Sequence, residues 1–202
     1  MLKGSFWKRA WHMVRWPIVV ILILYIGLVI YRIPAVREKQ KTQETVAYIH
    51  AQKLTMDDVD GKHLPPPPDS AQKDATVKGV DANANGIRDD VELAIFKKYP
   101  NSARVRAAEL QYAMALQMEL SSVFNSETLV AVMQEEGRGF SCVYTNASTD
   151  IVFSVRKKEV RDFVFNTNTR REKSDDIFAK YMVSFSTLQG EGCDINVPLL
   201  SN

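Results

Sequence analysis

The chain opens with its most apolar stretch. Sixteen uncharged residues lie between Arg15 and Arg32, and no polar face recurs among them at helical spacing. As a helix they span roughly 24 Å, and residues 33–36 extend them toward the thickness of a bilayer core. Two of the three tryptophans precede the stretch and Trp16 begins it, at the end where an interfacial ring is favourable. The pattern predicts a transmembrane anchor over residues 16–36, after a basic cytoplasmic tail over residues 1–15.

This anchor is expected to be uncleaved. The basic residues on its two sides do not determine its orientation in the membrane. A signal-peptidase site needs small residues just after the apolar run, where this chain has the bulky Ile33. Four basic residues lie before the span and four between Arg32 and Lys41, so the positive-inside rule is nearly tied. The side of the membrane has to be inferred from the rest of the chain.

A polar segment follows, and we interpret residues 37–77 as a stalk and proline-rich linker. Residues Pro65–Pro68 favour an extended polyproline II backbone without amide donors. A semi-rigid spacer is favoured over a docking motif, because no basic or aromatic pattern flanks the prolines. His50 and His63 are expected to be solvated side chains of this segment.

Helical periodicity dominates residues 78–202. Val91, Ile95 and Tyr99 predict a helix that ends before Pro100, and Asn101 and Ser102 can cap the next one. That next helix is the predicted core helix, with apolar stripes at Val105, Ala108, Tyr112, Leu116, Leu120 and Val123 and at Leu110, Met114 and Met118.

Three later segments complete the prediction. A third helix is expected over residues 127–136, ending at the glycines of residues 137–139. Residues 151–165 suit either a strand or a helix, and a final helix is marked by apolar residues from Ile177 to Phe185. The fold class is therefore mainly α: one N-terminal transmembrane helix, then a small helical domain with one calcium-binding loop.

Charge separates the two parts of the chain. The 202 residues carry 26 basic and 24 acidic side chains, a net charge of +2. Six basic residues and no acidic residue precede Glu38, which leaves 20 basic and 24 acidic in the remainder. An acidic body argues against nucleic-acid binding, which needs a clustered excess of Lys and Arg.

The calcium prediction rests on residues 81–92, which read D-A-N-A-N-G-I-R-D-D-V-E. Calcium takes six to eight oxygen ligands, and a twelve-residue loop supplies them from positions one, three, five, seven, nine and twelve. Those positions are Asp81, Asn83, Asn85, the carbonyl of Ile87, Asp89 and Glu92, with Gly86 at the sharp turn. The alternative is an ordinary Asn/Gly turn before an acidic helix N-terminus.

These twelve residues resemble the EF-hand calcium loop, with two departures. Little room exists for an entering helix after Pro68, and Arg88 occupies position eight, where paired EF-hands have an aliphatic residue. The loop is therefore more similar to the single loop and exit helix of dockerin-like calcium repeats. It implies a calcium ion held by the six positions above.

A wider resemblance involves an uncharacterised group of bacterial envelope proteins. It is carried by the segments L-T-M-D-D-V-D-G-K-H-L-P-P-P-P-D, N-G-I-R-D-D-V-E and F-N-S-E-T-L. The resemblance implies a bacterial, exported protein and no particular activity.

Two features favour a body outside the cytoplasm. Neutral asparagines at positions three and five suggest a calcium dissociation constant of about 10⁻⁴ to 10⁻³ M, which suits a calcium-rich compartment. Cys142 and Cys193, the chain's two cysteines, are predicted to form a disulfide rather than two buried thiols.

No catalytic residue is predicted, because no nucleophile, metalloprotease, phosphate-binding or dinucleotide motif occurs. The leading hypothesis is a single-pass inner-membrane protein with a periplasmic C-terminal domain, which holds structural Ca²⁺ and contacts protein partners in an envelope assembly. One alternative is a calcium-dependent envelope hydrolase, whose mark would be a polar cleft that gathers carboxylates. Another is a cytoplasm-facing membrane protein without metal.

Overall fold

The computed structural model describes residues 3–186 and 192–201, and the side chains of Trp11 and of the residues from Val14 on. Within these residues it contains eight α-helices, a short 3₁₀ helix and no strand. The helices are α1 (Lys3–Ala51), α2 (Met56–Asp60), α3 (Ser70–Lys73), α4 (Asp89–Lys98), α5 (Ala103–Ser122), α6 (Ser126–Thr145), α7 (Asp150–Val164) and α8 (Asn168–Tyr181), with the 3₁₀ helix at Val197–Leu199. The mainly α prediction is confirmed.

The chain divides into two compact units, residues 1–43 and 44–202. In the first unit, α1 is long and apolar enough to cross a membrane, and its most apolar window is exposed along its whole length. The helix continues past both ends of the predicted span and includes Pro17 and Pro34. Residues 1 and 2 of the predicted basic tail lie outside the described residues.

The second unit begins earlier than the expected boundary between residues 77 and 78. Ile49, at the end of α1, is fully buried in the core of this unit. Val59 in the segment that follows is also fully buried, and Leu54 is nearly so. Much of the predicted stalk and linker therefore contributes apolar surface to the helical domain. The apolar residues of this segment are sparse and separated by polar ones, so their burial leaves no clear pattern in the sequence.

Helix α5 is the centre of the second unit. Seventeen of its 20 residues are buried, on every face, which explains why two apolar stripes were visible in the sequence. Ser102 caps it as predicted, since its side chain accepts a hydrogen bond from the Val105 amide. Residues from all sides of α5 meet neighbouring helices or loops.

Helix α6 does not end at the glycines of residues 137–139, as the sequence suggested, but continues to Thr145. Gly139 has a packing role. A Cβ atom there would lie 2.8 Å from the Tyr112 Cα atom, closer than real contacts allow. The missing side chain allows the backbones of α5 and α6 to approach each other.

Replacing Gly139 with alanine is expected to destabilise the second unit by about 1–3 kcal/mol, because the new methyl group forces α5 and α6 apart. Gly137→Ala is the matched control, since a Cβ at Gly137 meets no atom within 4 Å. Alanine is the better helix former, so the control should be neutral or stabilising. Urea unfolding of the two variants measures the difference, and equal destabilisation would contradict the packing role of Gly139.

Helices α7 and α8 correspond to the segment that the sequence left open, residues 151–165, and to the predicted final helix. Residues 150–164 form a helix and not a strand, capped by Thr149, whose side chain accepts from the Val152 amide. Helix α8 begins before the predicted apolar residues and ends at Tyr181. Met182 and Phe185 follow it in an irregular, exposed segment.

The predicted disulfide is present. Cys142 in α6 is bonded to Cys193, with an S–S distance of 2.05 Å, across 51 residues of sequence. Cys142 is fully buried. The bond therefore joins the C-terminal segment to the middle of the helical core.

Candidate metal centre

The predicted calcium loop lies between α3 and α4, and its backbone turns at two left-handed residues. Ala84 has a φ of 57° and Gly86 a φ of 85°. Gly86 is the glycine that the motif requires at its sharp turn, and glycine adopts this conformation without a steric cost. The preceding helix, α3, has four residues and ends eight positions before the loop. A full entering helix is therefore absent from this segment, as expected from the sequence.

The first half of the loop folds around the carboxylate of Asp81. The Asn85 amide donates to its Oδ1 atom at 3.2 Å, and the Gly86 amide donates to its Oδ2 atom at 3.0 Å. The Asn85 Oδ1 atom accepts from the Ile87 amide at 2.9 Å, and the Asn83 Oδ1 atom accepts from the Asn85 amide at 3.4 Å. Positions one, three and five thus turn their oxygens back toward the loop's own amides.

Glu92 joins this group from the first turn of α4. Its side chain is almost fully buried, and its two oxygens accept from the side-chain amides of Asn83 and Asn85, each at 3.1 Å. Position twelve is therefore in contact with positions three and five. The spacing predicted that these positions share a calcium ion, and that part stays a prediction.

The two remaining predicted ligand positions, Ile87 and Asp89, lie at the N-terminal end of α4. Asp89, also nearly fully buried, is the first residue of α4, and its Oδ1 atom accepts from the Ala82 amide at 2.9 Å. Ile87 has a fully buried side chain that packs in the core. Its predicted ligand is the backbone carbonyl, which follows Gly86 in the turn.

Negative charge in this loop is concentrated and poorly solvated. Burial, followed by the charges of Asp58 and Asp89, raises the pKa of Glu92 to about 7. Burial also raises the pKa of Asp89, with a smaller contribution from the charge of Asp81. The described hydrogen-bond partners of Glu92 are neutral amides, so no side-chain cation offsets its charge there.

The oxygen atoms of the loop suit a hard cation when the asparagine side chains and a backbone carbonyl are counted together with the carboxylates. No three His, Cys, Asp or Glu side chains within the described residues converge to hold a metal ion. The loop instead combines three carboxylates with two asparagine side chains and a backbone carbonyl, which are all oxygen ligands of the kind that calcium accepts. A buried carboxylate with only neutral partners is a further observation consistent with a cation at this place.

No family model, curated protein or solved structure matches this chain. The EF-hand-like interpretation therefore depends on the twelve loop residues and their geometry. The resemblance to bacterial envelope proteins stays an expectation.

Arg88, the residue that departs from the EF-hand pattern, attaches the loop to α7. Its side chain is fully buried and donates to the carbonyls of Phe163 and Val164 at 2.8 and 3.1 Å. It also pairs with Asp90. These carbonyls lie at the end of α7, where backbone acceptors lack helical partners. In paired EF-hands, a loop of this kind contacts a second loop. Here the loop is held by the C-terminus of α7.

Gly79 makes room for the Arg88 side chain. It has a φ of 69°, and a Cβ atom there would lie 2.2 Å from the Arg88 Cδ atom. Arg88 and Gly79 therefore fit together as one unit. Sequence analysis noted the unusual residue at position eight but could not assign it this role, because its partners lie about 75 positions away.

A second buried arginine fixes the segment that leads into the loop. Arg170 of α8 is 1% exposed, and its guanidinium donates to the carbonyls of Lys73, Thr76 and Val77 at 2.7 to 3.2 Å. It also pairs with the Asp74 carboxylate at 2.6 Å. Together, Arg88 and Arg170 attach the loop and the residues before it to the C-terminal helices.

His50 is not the solvated side chain expected from the sequence. Its Nδ1 atom lies 2.8 Å from the Glu135 carboxylate, and its side chain is about one-third exposed. Arg138 links Glu135 to Asp194, with distances of 2.6 and 2.7 Å. This network joins the end of α1, α6 and the segment after Cys193. His50 and Glu135 are 85 positions apart in sequence, so no local pattern could indicate their contact.

A cavity of about 290 Å³ borders the loop, and it bears on the hydrolase alternative. Its lining is mostly polar and includes Gln52, Lys78, Gln117 and Ser121. Among the described residues of that lining, Asp81 is the only carboxylate and none is a histidine. The cavity therefore does not gather the carboxylates that the hydrolase hypothesis requires.

Proposed function

We propose that this protein is a membrane-anchored helical protein whose Asp81–Glu92 loop is a structural calcium site. The observation that carries the proposal is the contact of buried Glu92 with Asn83 and Asn85, in a loop whose Asp81 carboxylate is held by backbone amides. The ligands are the six predicted positions: Asp81, Asn83, Asn85, the Ile87 carbonyl, Asp89 and Glu92.

The role proposed for the ion is mechanical. Bound calcium supplies positive charge that offsets the loop's three carboxylates. Asp81 belongs to the start of the loop, whereas Asp89 and Glu92 belong to α4. Shared coordination would therefore fix the loop against its exit helix, which also contacts α5 and α7.

We further propose that the second unit lies in the periplasm and that α1 anchors it in the inner membrane. The Cys142–Cys193 bond supports a compartment outside the cytoplasm, because disulfides persist in oxidising surroundings. A loop with two neutral ligands binds calcium weakly and fills only where calcium is abundant. Within an envelope assembly, exposed apolar side chains such as Ile151 and Val155 on α7 support a role in protein contacts.

Calcium is expected to stabilise the second unit, and removing it to lower the melting temperature. At a calcium concentration about 100 times the dissociation constant, binding adds about 2.7 kcal/mol. For a unit of this size that corresponds to roughly 5–10 °C. Circular dichroism melts of the detergent-solubilised full chain, with calcium or with a chelator, measure the shift. Equal melting temperatures in the two conditions would remove calcium from the function.

A matched pair of variants separates the loop from general effects of calcium. Glu92→Gln removes the predicted bidentate ligand and is expected to abolish most of the calcium-dependent shift. Glu172→Gln, on the exposed surface of α8, should retain the full shift. A shift that survives in the Glu92 variant would place the calcium elsewhere on the protein.

A further inference from the structure

Two glutamates of adjacent helices are buried in the core, away from the calcium loop. Glu119 of α5 is fully buried, and Glu136 of α6 is 9% exposed. The sequence analysis placed Glu136 at the end of its helix, where a carboxylate would meet water. Because α6 continues to Thr145, Glu136 lies instead in mid-helix and faces Glu119.

Three of the four carboxyl oxygens of this pair have no hydrogen-bond partner among the described residues. Both carboxyl oxygens of Glu119 and the Oε1 atom of Glu136 are buried without a partner among the described residues. Ionised carboxylates can only accept hydrogen bonds, so two of them cannot satisfy each other. A proton on one carboxyl supplies the missing donor, since a protonated carboxyl donates through its O–H group.

The surrounding groups do not replace that proton. Tyr112 of α5 and Ser174 and Asp175 of α8 face the pair. Burial and the charge of Asp175 raise the pKa of Glu119, whereas the Ser174 hydroxyl lowers it. Arg161 of α7 is the facing cation. Its guanidinium lies 4.9 Å over the Phe165 ring and forms no described ion pair with either glutamate.

We infer that Glu119 and Glu136 share a proton at neutral pH and make the packing of α5, α6 and α8 sensitive to pH. The shared proton joins α5 to α6 directly. Loss of that proton leaves two like charges facing each other in a buried site, which favours separation of the helices.

The sign of the pH dependence follows from burial. Burial and the facing charge raise the pKa of Glu136 well above its ordinary value, and burial also raises the pKa of Glu119. Folded-state pKa values above the unfolded value mean that protons bind more tightly to the folded protein. The stabilisation is therefore fully present below the unfolded pKa and is lost as pH rises through the folded pKa. The second unit should melt at a lower temperature in alkaline solution.

Other buried glutamates titrate in the same direction, so the test needs variants. Burial raises the pKa of Glu109 to about 7, despite the opposing effects of Tyr99 and Arg156. Glu136→Gln provides a permanent amide donor to Glu119 and removes one of the two charges. The variants Glu119→Gln and Glu136→Gln are compared with Glu172→Gln, an exposed control on α8.

The experiment measures melting temperature from about pH 5 to about pH 8.5 for the full chain in detergent, with chelator present throughout. Wild type and the control should lose stability as pH rises. Each of the two core variants should lose at most half as much and should melt above wild type at the alkaline end. An unchanged pH slope in both core variants would overturn the shared proton, as would a flat wild-type profile.

Infrared spectroscopy gives a second readout that does not depend on unfolding. The carbonyl stretch of a protonated carboxyl is expected in wild type at neutral pH and should weaken in Glu136→Gln. If wild type shows no such band, the inference fails even if the variants do not fold. Because chelator is present, neither result depends on calcium binding.

Discussion

Replacing Arg170 with methionine is expected to lower the free energy of unfolding of the second unit by about 3–5 kcal/mol. The guanidinium is the donor for three backbone carbonyls of residues 73–77, which lose those partners in the variant. It also pairs with Asp74 and donates to Asn166. Methionine has a comparable length and fills much of the space, so the loss reports hydrogen bonds more than volume. Urea unfolding monitored by circular dichroism measures it.

The control for this prediction is Lys180→Met, which removes a positive charge from an exposed position on the same helix. It should change stability by less than about 0.5 kcal/mol. Arg170→Lys should fall between the two, because one ammonium cannot reproduce the planar set of donors. A methionine variant as stable as the control would show that Arg170 does not hold the segment before the loop.

Arg170 also connects stability to the proposed calcium site. The segment that it holds ends four residues before Asp81, so its release should increase the freedom of the loop and weaken calcium binding. Titration calorimetry on Arg170→Met at a temperature where it stays folded would detect this loss. Unchanged affinity would mean that the loop is organised by Arg88 and its own hydrogen bonds.

The parts of the fold that could be predicted are those governed by local patterns. The four-residue spacing of Val91 and Ile95 reports one buried helix face, and the cap at Ser102 is a contact within one turn. The loop pattern was visible because its proposed ligand positions are separated by only a few residues. Gly86 was readable for the same reason, since its turn requires a positive φ.

The burial of charged residues could not be predicted, because the sequence around a charged residue does not show whether it lies on the surface or in the core. Arg88 and Arg170 read as ordinary cations, yet each satisfies carbonyls that lie far away in sequence. Glu119 lies on α5 between apolar residues, and its burial follows from the contacts of α5 on every face. Such positions become visible only when tertiary structure brings their partners together.

The length of α6 also depends on tertiary packing. Glycine usually lowers helix stability, so the glycines of residues 137–139 suggested a helix end. Close packing of α6 on Tyr112 outweighs this intrinsic cost at Gly139. The domain boundary was also displaced, because Ile49 and Val59 are buried by residues that are distant in sequence.

Removing the Cys142–Cys193 disulfide is expected to cost the second unit about 4 kcal/mol, as a cross-link across 51 residues restricts the unfolded chain. Both single Cys→Ser variants should lose nearly as much as the double variant, because either substitution breaks the same bond. Urea unfolding of the three proteins, without reductant, measures this. Additive losses in the two single variants would show that the cysteines act separately.

The folded C-terminal segment should survive that loss in part. Gln111 donates to the Gly192 carbonyl at 2.7 Å and accepts from the Asp194 amide at 2.8 Å, and Asp194 also pairs with Arg138. These contacts keep the two cysteines close in the reduced protein, which favours reoxidation. Reduced wild type should therefore recover its full stability after the reductant is removed.

The same bond tests the side of the membrane on which the second unit lies. If the unit is periplasmic, a membrane-impermeant thiol reagent added to intact cells should leave the full-length protein unlabelled until a reductant is supplied. After reduction, both cysteines should react with the external reagent. Cys142 should react more slowly than Cys193, because it is buried. If labelling requires cell lysis even after reduction, the unit faces the cytoplasm, and a calcium loop with weak affinity would then remain mostly empty in the cell.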